Sequence, residues 1–131
     1  MASESEIPEE LKYSEDHEWL SFEGDEAAIG ITDYAQSQLG DIVFVELPEV
    51  GQQLEKGQIF ATIEAVKTVA EVYAPVSGQV LEVNSAIQES AEVINTDPYG
   101  AGWLIKIHPS NPKERSQLMS AAEYAELVAG L

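Results

Sequence analysis

Residues 58–74 constrain the fold of this chain more than any other stretch. From Gln58 to Val66 the side chains alternate in placement. Ile59, Ala61, Ile63 and Ala65 share one face of an extended segment, and Phe60, Thr62, Glu64 and Val66 share the other. A second extended run, Val69 to Ala74, is stopped by Pro75 and the turn Val76-Ser77-Gly78. The connection between the runs is Val66-Lys67-Thr68, which predicts a tight hairpin with Lys67 at or beside its tip.

That lysine is unusual for its setting. The chain has six Lys and Arg residues against 24 Asp and Glu, a formal net charge of −18. Lys106, Lys113 and Arg115 fall near the C-terminus, and Lys12 and Lys56 stand in polar, turn-like company. Lys67 alone interrupts a strand-to-strand connection, and so acidic a chain does not need it for solubility. It reads as a presented side chain, the arrangement in which carrier proteins are modified.

The rest of the chain supplies short strands and turns. Trp19–Phe22 and Ala27–Ile31 read as strands around Glu23-Gly24-Asp25. Asp33 and Gln36 stand at capping-box spacing for a short helix that Gly40 closes. Asp41–Leu47 is a further strand bounded by Pro48, and Glu55-Lys56-Gly57 is a turn. Gly40-Asp41-Ile42-Val43-Phe44-Val45 resembles Gly78-Gln79-Val80-Leu81-Glu82-Val83 in spacing and type, a weak internal repeat about the hairpin. Asn95 to Gly100 is a dense loop signal, followed by a strand over Trp103–Ile107. Pro112 starts a helical tail, and Ser120 with Glu123 forms a capping box for a last helix ending at Gly130. Residues 1 to about 11, acidic and with Pro8, read as a frayed arm. The expected class is mainly β: a flattened barrel-sandwich of two antiparallel sheets with quasi-two-fold symmetry, plus short helices including a C-terminal one. The 131 residues suit one domain, with the arm over 1–11 and the helical tail over 112–131.

Several function classes are excluded or disfavoured. Without cysteine there is no disulfide, thiolate metal site or cysteine nucleophile. The charge repels nucleic acid and anionic lipid and favours encounter with basic protein surfaces. The start of the chain lacks the pattern of a secretory or mitochondrial leader, and no apolar run is of membrane-spanning length, so a soluble, cytoplasmic monomer is expected. His17, amid Glu15, Asp16 and Glu18, could suggest a metal site. Neighbours on an extended segment face opposite ways, however, and no second histidine is near, so a structural or groove role is the better reading. His108 precedes Pro109 at a strand end, and Tyr34 and Trp103 read as core or loop anchors. No carboxylate pair is marked out for acid–base work.

Gly51 lies 16 residues before Lys67 and Gly78 lies 11 after it, with Pro75 and Ser77 in the second turn. This spacing resembles the biotinyl/lipoyl carrier pattern. The likeness extends over Leu11-Lys12-Tyr13, His17-Glu18-Trp19, Gly30-Ile31-Thr32-Asp33-Tyr34-Ala35-Gln36 and the stretch from Gly40 to Pro48. It continues through Glu64-Ala65-Val66-Lys67, Tyr73 to Gly78, and Asp97 to Lys106. Together these segments resemble the H protein of the glycine cleavage system from about residue 11 to residue 127.

The resemblance implies a non-catalytic carrier with lipoate in amide linkage on Lys67, which would take the formal charge from −18 to −19. It implies that Glu64 and Gly78 take part in recognition by lipoylating enzymes, and that Glu18 and Glu71 line the groove that shields the loaded arm. It implies as partners a PLP-dependent glycine decarboxylase, an aminomethyltransferase using tetrahydrofolate, and dihydrolipoamide dehydrogenase. Many members have Ser where Ala65 stands and Ser-Asp where Ala70-Glu71 stand, departures that bear on the groove. A biotin acceptor, a lipoyl relay serving other enzymes, and an independent carboxylate or metal hydrolase are the competing readings. Val66 and Thr68 beside the lysine, where methionines would mark biotin, argue against the first of these.

Overall fold

The computed structural model describes residues 5–131. Its strands are β1 (Lys12–Tyr13), β2 (Glu18–Glu23), β3 (Glu26–Ile31), β4 (Ile42–Glu46), β5 (Gln53–Leu54), β6 (Ile59–Ala65), β7 (Val69–Tyr73), β8 (Gly78–Val83) and β9 (Ile105–Pro109). Its helices are α1 (Asp33–Leu39), α2 (Ala86–Glu89), α3 (Val93–Thr96), α4 (Pro112–Arg115) and α5 (Ala121–Ala129). Among the described residues the strands form two antiparallel sheets, one of six in the order β1-β2-β3-β9-β8-β5 and one of three in the order β4-β6-β7. The expected sandwich is what forms.

The inner faces share one core. Leu20, Ile29, Ile105 and Ile107 of the larger sheet pack with Val45, Phe60, Ile63 and Val72 of the smaller, and Ile87 and Ile94 close one end from α2 and α3. A second cluster, Tyr13, Trp19, Ala121 and Tyr124, seats α5 on the outer side of β1 and β2. The rings of Tyr13 and Tyr124 stack there at 4.7 Å.

The repeat seen in the sequence has a geometric counterpart. Pairing of β4 with β6 slips between Ile42 and Phe44, and pairing of β8 with β9 slips between Val80 and Glu82. The residues skipped, Val43 and Leu81, occupy the same position of the repeat and are 57% and 38% exposed. Each copy thus buries its first apolar residue, Ile42 or Val80, and extrudes the next through a bulge.

Several local expectations are corrected. Alternation through β6 changes phase, because a bulge between Ile59 and Ala61 leaves Ile59 43% exposed and turns Phe60 inward. The N-cap of α1 is Thr32, whose side chain accepts from Ala35 N–H; Asp33 is the first helical residue and accepts from Gln36 Nε2 at 2.7 Å. The last strand starts at Ile105, two residues later than its composition suggests, and runs to Pro109. The loop signal at 95–100 begins inside α3, and neither α2 nor α3 was expected, since each is a four-residue turn without a capping side chain. The capping box of α5 is present with both of its bonds. Of the segment read as an arm, residues 1–4 lie outside the described residues. Further along it, Glu6 N–H donates to Asp33 at 2.9 Å, the Pro8 carbonyl accepts from Tyr13 at 2.6 Å, and Leu11 is buried.

Trp19 lies directly opposite Gly30 in the β2–β3 pair, and its Nε1–H donates to the Pro98 carbonyl at 2.9 Å. A Cβ on Gly30 would stand 2.6 Å from that indole. The ring is buried and tied to Pro98 at the very nitrogen this Cβ would meet, so it cannot swing aside. Gly30→Ala is therefore expected to lower unfolding free energy by about 2–3 kcal/mol, read by urea denaturation. Unchanged stability would mean that the indole is not pinned.

Candidate functional site

The hairpin joining β6 to β7 presents Lys67 as expected. Glu64 pairs with Val69, Ala65 N–H donates to the Thr68 carbonyl at 2.8 Å, and residues 66–68 turn the chain. Lys67 is exposed and makes no ion pair with any described residue. Val66 and Val69 beside it are 75% and 61% exposed. Glu64 is also exposed, level with Phe44 on one side and Val69 on the other.

The lysine stem lies across Gly40, at the C-terminal end of α1. A Cβ built on Gly40 would meet Lys67 Cε at 3.2 Å. Gly40 has φ 79° and ψ −152°, a conformation that essentially only glycine adopts. Backbone geometry thus requires glycine here, and its bare Cα leaves room for the lysine stem.

A groove of about 200 Å³ lies beside the hairpin. Its apolar wall includes Ile31, Leu39, Ile63 and Val72, and its polar positions include Asp16, His17, Glu18, Gln38 and Glu71. Both acidic residues expected at an arm groove, Glu18 and Glu71, therefore line one cavity. They differ in setting: Glu71 is exposed, whereas Glu18 is 1% exposed. Gly78 is not part of this assembly. It is buried in the six-stranded sheet between Leu54 and Pro109, where a Cβ would stand 2.6 Å from the His108 carbonyl oxygen. Close backbone approach accounts for that glycine.

Glu18 spans the two sheets. From β2 its Oε2 accepts the Tyr73 N–H of β7 at 3.0 Å, and its Oε1 accepts from Ser14 Oγ at 2.8 Å. Burial dominates its titration and pushes the carboxyl up to about 8, with Asp16 adding to the rise and the two hydrogen bonds opposing it.

His17 adopts φ 67°, which turns the chain into β2. Its Nδ1 lies 2.8 Å from Tyr124 Oη, which lies 2.7 Å from Thr32 Oγ1. The ring also packs against Tyr34, at 5.0 Å between centroids. Burial lowers its pKa, opposed by Asp16. These contacts make His17 a structural residue on the groove wall, and no metal-holding cluster occurs among the described residues. His108 Nδ1 lies 3.0 Å from the Asp25 carbonyl oxygen.

The raised carboxyl of Glu18 has a measurable consequence. The folded state holds this proton between the unfolded value near 4.5 and about 8, so the contribution to stability is complete below pH 4.5 and is lost as pH rises through 8. Glu18→Gln keeps a neutral, hydrogen-bonded side chain at every pH. Between pH 5 and pH 9 the parent should lose on the order of a few kcal/mol of stability relative to this variant, measured by denaturant titration at each pH. Parallel curves would show that Glu18 titrates as an ordinary surface carboxylate.

Comparison with known proteins bears on this site. The model of the family described as glycine cleavage H-protein matches residues 11–130. The glycine cleavage system H protein of Halalkalibacterium halodurans is 54% identical over 125 residues, covering 95% of this chain and 98% of that protein. That of Bacteroides thetaiotaomicron is 51% identical over 124 residues, with the same coverage. A crystal structure of a glycine cleavage system H protein from Mycobacterium marinum superposes with a TM-score of 0.86 at 43% identity, over 95% of this chain and all of that one. A hairpin lysine above an acid-lined groove, on a sandwich matched almost end to end, leads to one assignment: the chain belongs to the glycine cleavage H-protein family.

Proposed function

We propose that this chain is the lipoyl-bearing carrier of the glycine cleavage system, with lipoate attached to Lys67. In this role it takes the aminomethyl group of glycine from a PLP-dependent glycine decarboxylase to an aminomethyltransferase that uses tetrahydrofolate, and is reoxidised by dihydrolipoamide dehydrogenase. It acts in the cytoplasm as a monomer without catalytic residues of its own. The observation that carries this reading is an exposed hairpin lysine beside a groove that has apolar walls and carboxyl groups among its lining. An aliphatic arm fits the first property and a cationic amine the second.

When bound, lipoate supplies a dithiol that accepts and releases the one-carbon unit. The chain's own residues do the rest. The hairpin presents the lysine to solvent, its stem beside Gly40 at the end of α1. Val66, Val69 and Glu64 give a modifying enzyme an apolar and a charged contact beside it. Gly78 serves recognition only indirectly, by keeping β8 close to β9. Ile31, Leu39, Ile63 and Val72 exclude water along the groove. Glu18, on the groove wall, would offer a carboxyl oxygen to a cationic amine carried on the arm. Glu71, at the exposed side, adds a second negative charge.

The test is the intact mass after incubation with lipoate, ATP and a lipoate ligase, followed by peptide mapping. A single adduct of roughly 190 Da on Lys67 is expected. No adduct, with a known H protein modified alongside, would overturn the assignment. Lys67→Ala should abolish the adduct while changing stability by no more than about 0.5 kcal/mol, as for an exposed turn residue. A large fall in Tm would contradict the exposed placement.

A further inference from the structure

The position of the hairpin tip depends on a residue distant in sequence. Besides the internal bond from Ala65 to Thr68, the tip is tied by Val66 N–H, which donates to the Asp41 carbonyl at 2.9 Å. Asp41 is exposed and precedes β4, so the tie is only as firm as the segment 40–42. That segment is held from behind by the side chain of Asn95, on α3. Asn95 Nδ2 donates to the Gly40 carbonyl at 2.8 Å, and Asn95 Oδ1 accepts the Ile42 N–H at 2.9 Å. The amide thus brackets Asp41 as a residue of a parallel strand would, with one donor to the preceding carbonyl and one acceptor for the following N–H.

The arrangement is specified rather than incidental. The second Nδ2 hydrogen goes to Gln36 Oε1 at 2.9 Å, and Gln36 Nε2 donates in turn to Asp33 Oδ1 at 2.7 Å. Flipping the Asn95 amide would set an N–H against an N–H and an oxygen against two oxygens. The helix turn carrying Asn95 is anchored by Ile94, which is fully buried in the core. A chain of contacts therefore runs from the core through Ile94, Asn95, Asp41 and Val66 to Lys67. Gly40, whose carbonyl Asn95 fixes, is also the bed of the lysine stem.

We propose that Asn95 is a positioning residue for modification of Lys67: it fixes the 40–42 segment and thereby the geometry in which the lysine amine is presented. This rests on the reading of Lys67 as the acceptor. A tip released from Asp41 samples more conformations, so productive geometry is lost while the docking contacts at Glu64, Val66 and Val69 remain. The deficit falls on kcat rather than KM.

The experiment compares Asn95→Ala and Asn95→Asp with Asn84→Ala. Asn95→Asp keeps the acceptor for Ile42 and removes both donations. Asn84 is the control, a buried asparagine whose Nδ2 bridges the Ala101 and Trp103 carbonyls at 2.8 and 2.7 Å, outside the chain of contacts to the tip. Each apo-protein is assayed with lipoate ligase, lipoate and ATP, and amide exchange at Val66 is followed by NMR. Both Asn95 variants should lose about tenfold or more in kcat with KM within about twofold, and Val66 should exchange faster by a similar factor. Asn84→Ala should lower Tm and leave both readouts at parent values. Parent-like kcat and Val66 exchange in the Asn95 variants, or equal losses in Asn84→Ala, would overturn the proposal. Failure of the parent to be modified would sink the acceptor reading instead, and Val66 exchange would still decide whether Asn95 holds the tip.

Discussion

A β-hairpin that must leave its tip exposed has little stability of its own. Everything in this molecule follows from how β4, β6 and β7 are made firm without covering their tip. Their inner residues Val45, Phe60, Ile63 and Val72 are pressed into a core supplied largely by the six-stranded sheet. Their outer residues Phe44, Glu64 and Val69 stay in solvent. The larger sheet acts as the wall against which the smaller one is braced, and the lysine projects from the braced element.

Polar side chains complete the bracing at two places. Near the far end of β7, Glu18 crosses from one sheet to the other and accepts a backbone N–H that would otherwise lack a partner. Near the tip, Asn95 does the equivalent for the segment before β4. The two differ in what they leave open. Asn95 is a neutral amide with every hydrogen bond made, whereas Glu18 is an acid whose carboxyl burial pushes up to about 8.

Much of this is legible in the sequence where a residue type has one physical use. The isolated Lys67 between two extended runs gives the hairpin, Gly40 ends α1, and Ser120 with Glu123 begins α5. Legibility fails where geometry depends on counting. The bulge before Ala61 reverses the facing of Ile59 and Phe60, and nothing in their composition marks it. Helices of one turn, such as α2 and α3, have neither length nor caps to signal them. Glu18 sits in a run of polar residues whose neighbours Glu15 and Asp16 are exposed, so its burial follows only from pairing with a distant strand. His17 takes a left-handed conformation usually left to glycine, and its ring contacts explain why it can. Gly78 stands at the spacing expected of a recognition residue, while its immediate cause is the His108 carbonyl.

The paired bulges carry a further consequence, for self-association. An open sheet ends in unpaired N–H and C=O groups that can template the addition of another strand. Here both borders of the six-stranded sheet are strands of only two residues, β1 and β5, too short to recruit a neighbour. The β4 border of the smaller sheet is kinked at Val43, which interrupts the regular ladder a second molecule would need. The distortion at Val43 that marks the first copy of the repeat therefore also interrupts strand addition along the β4 border.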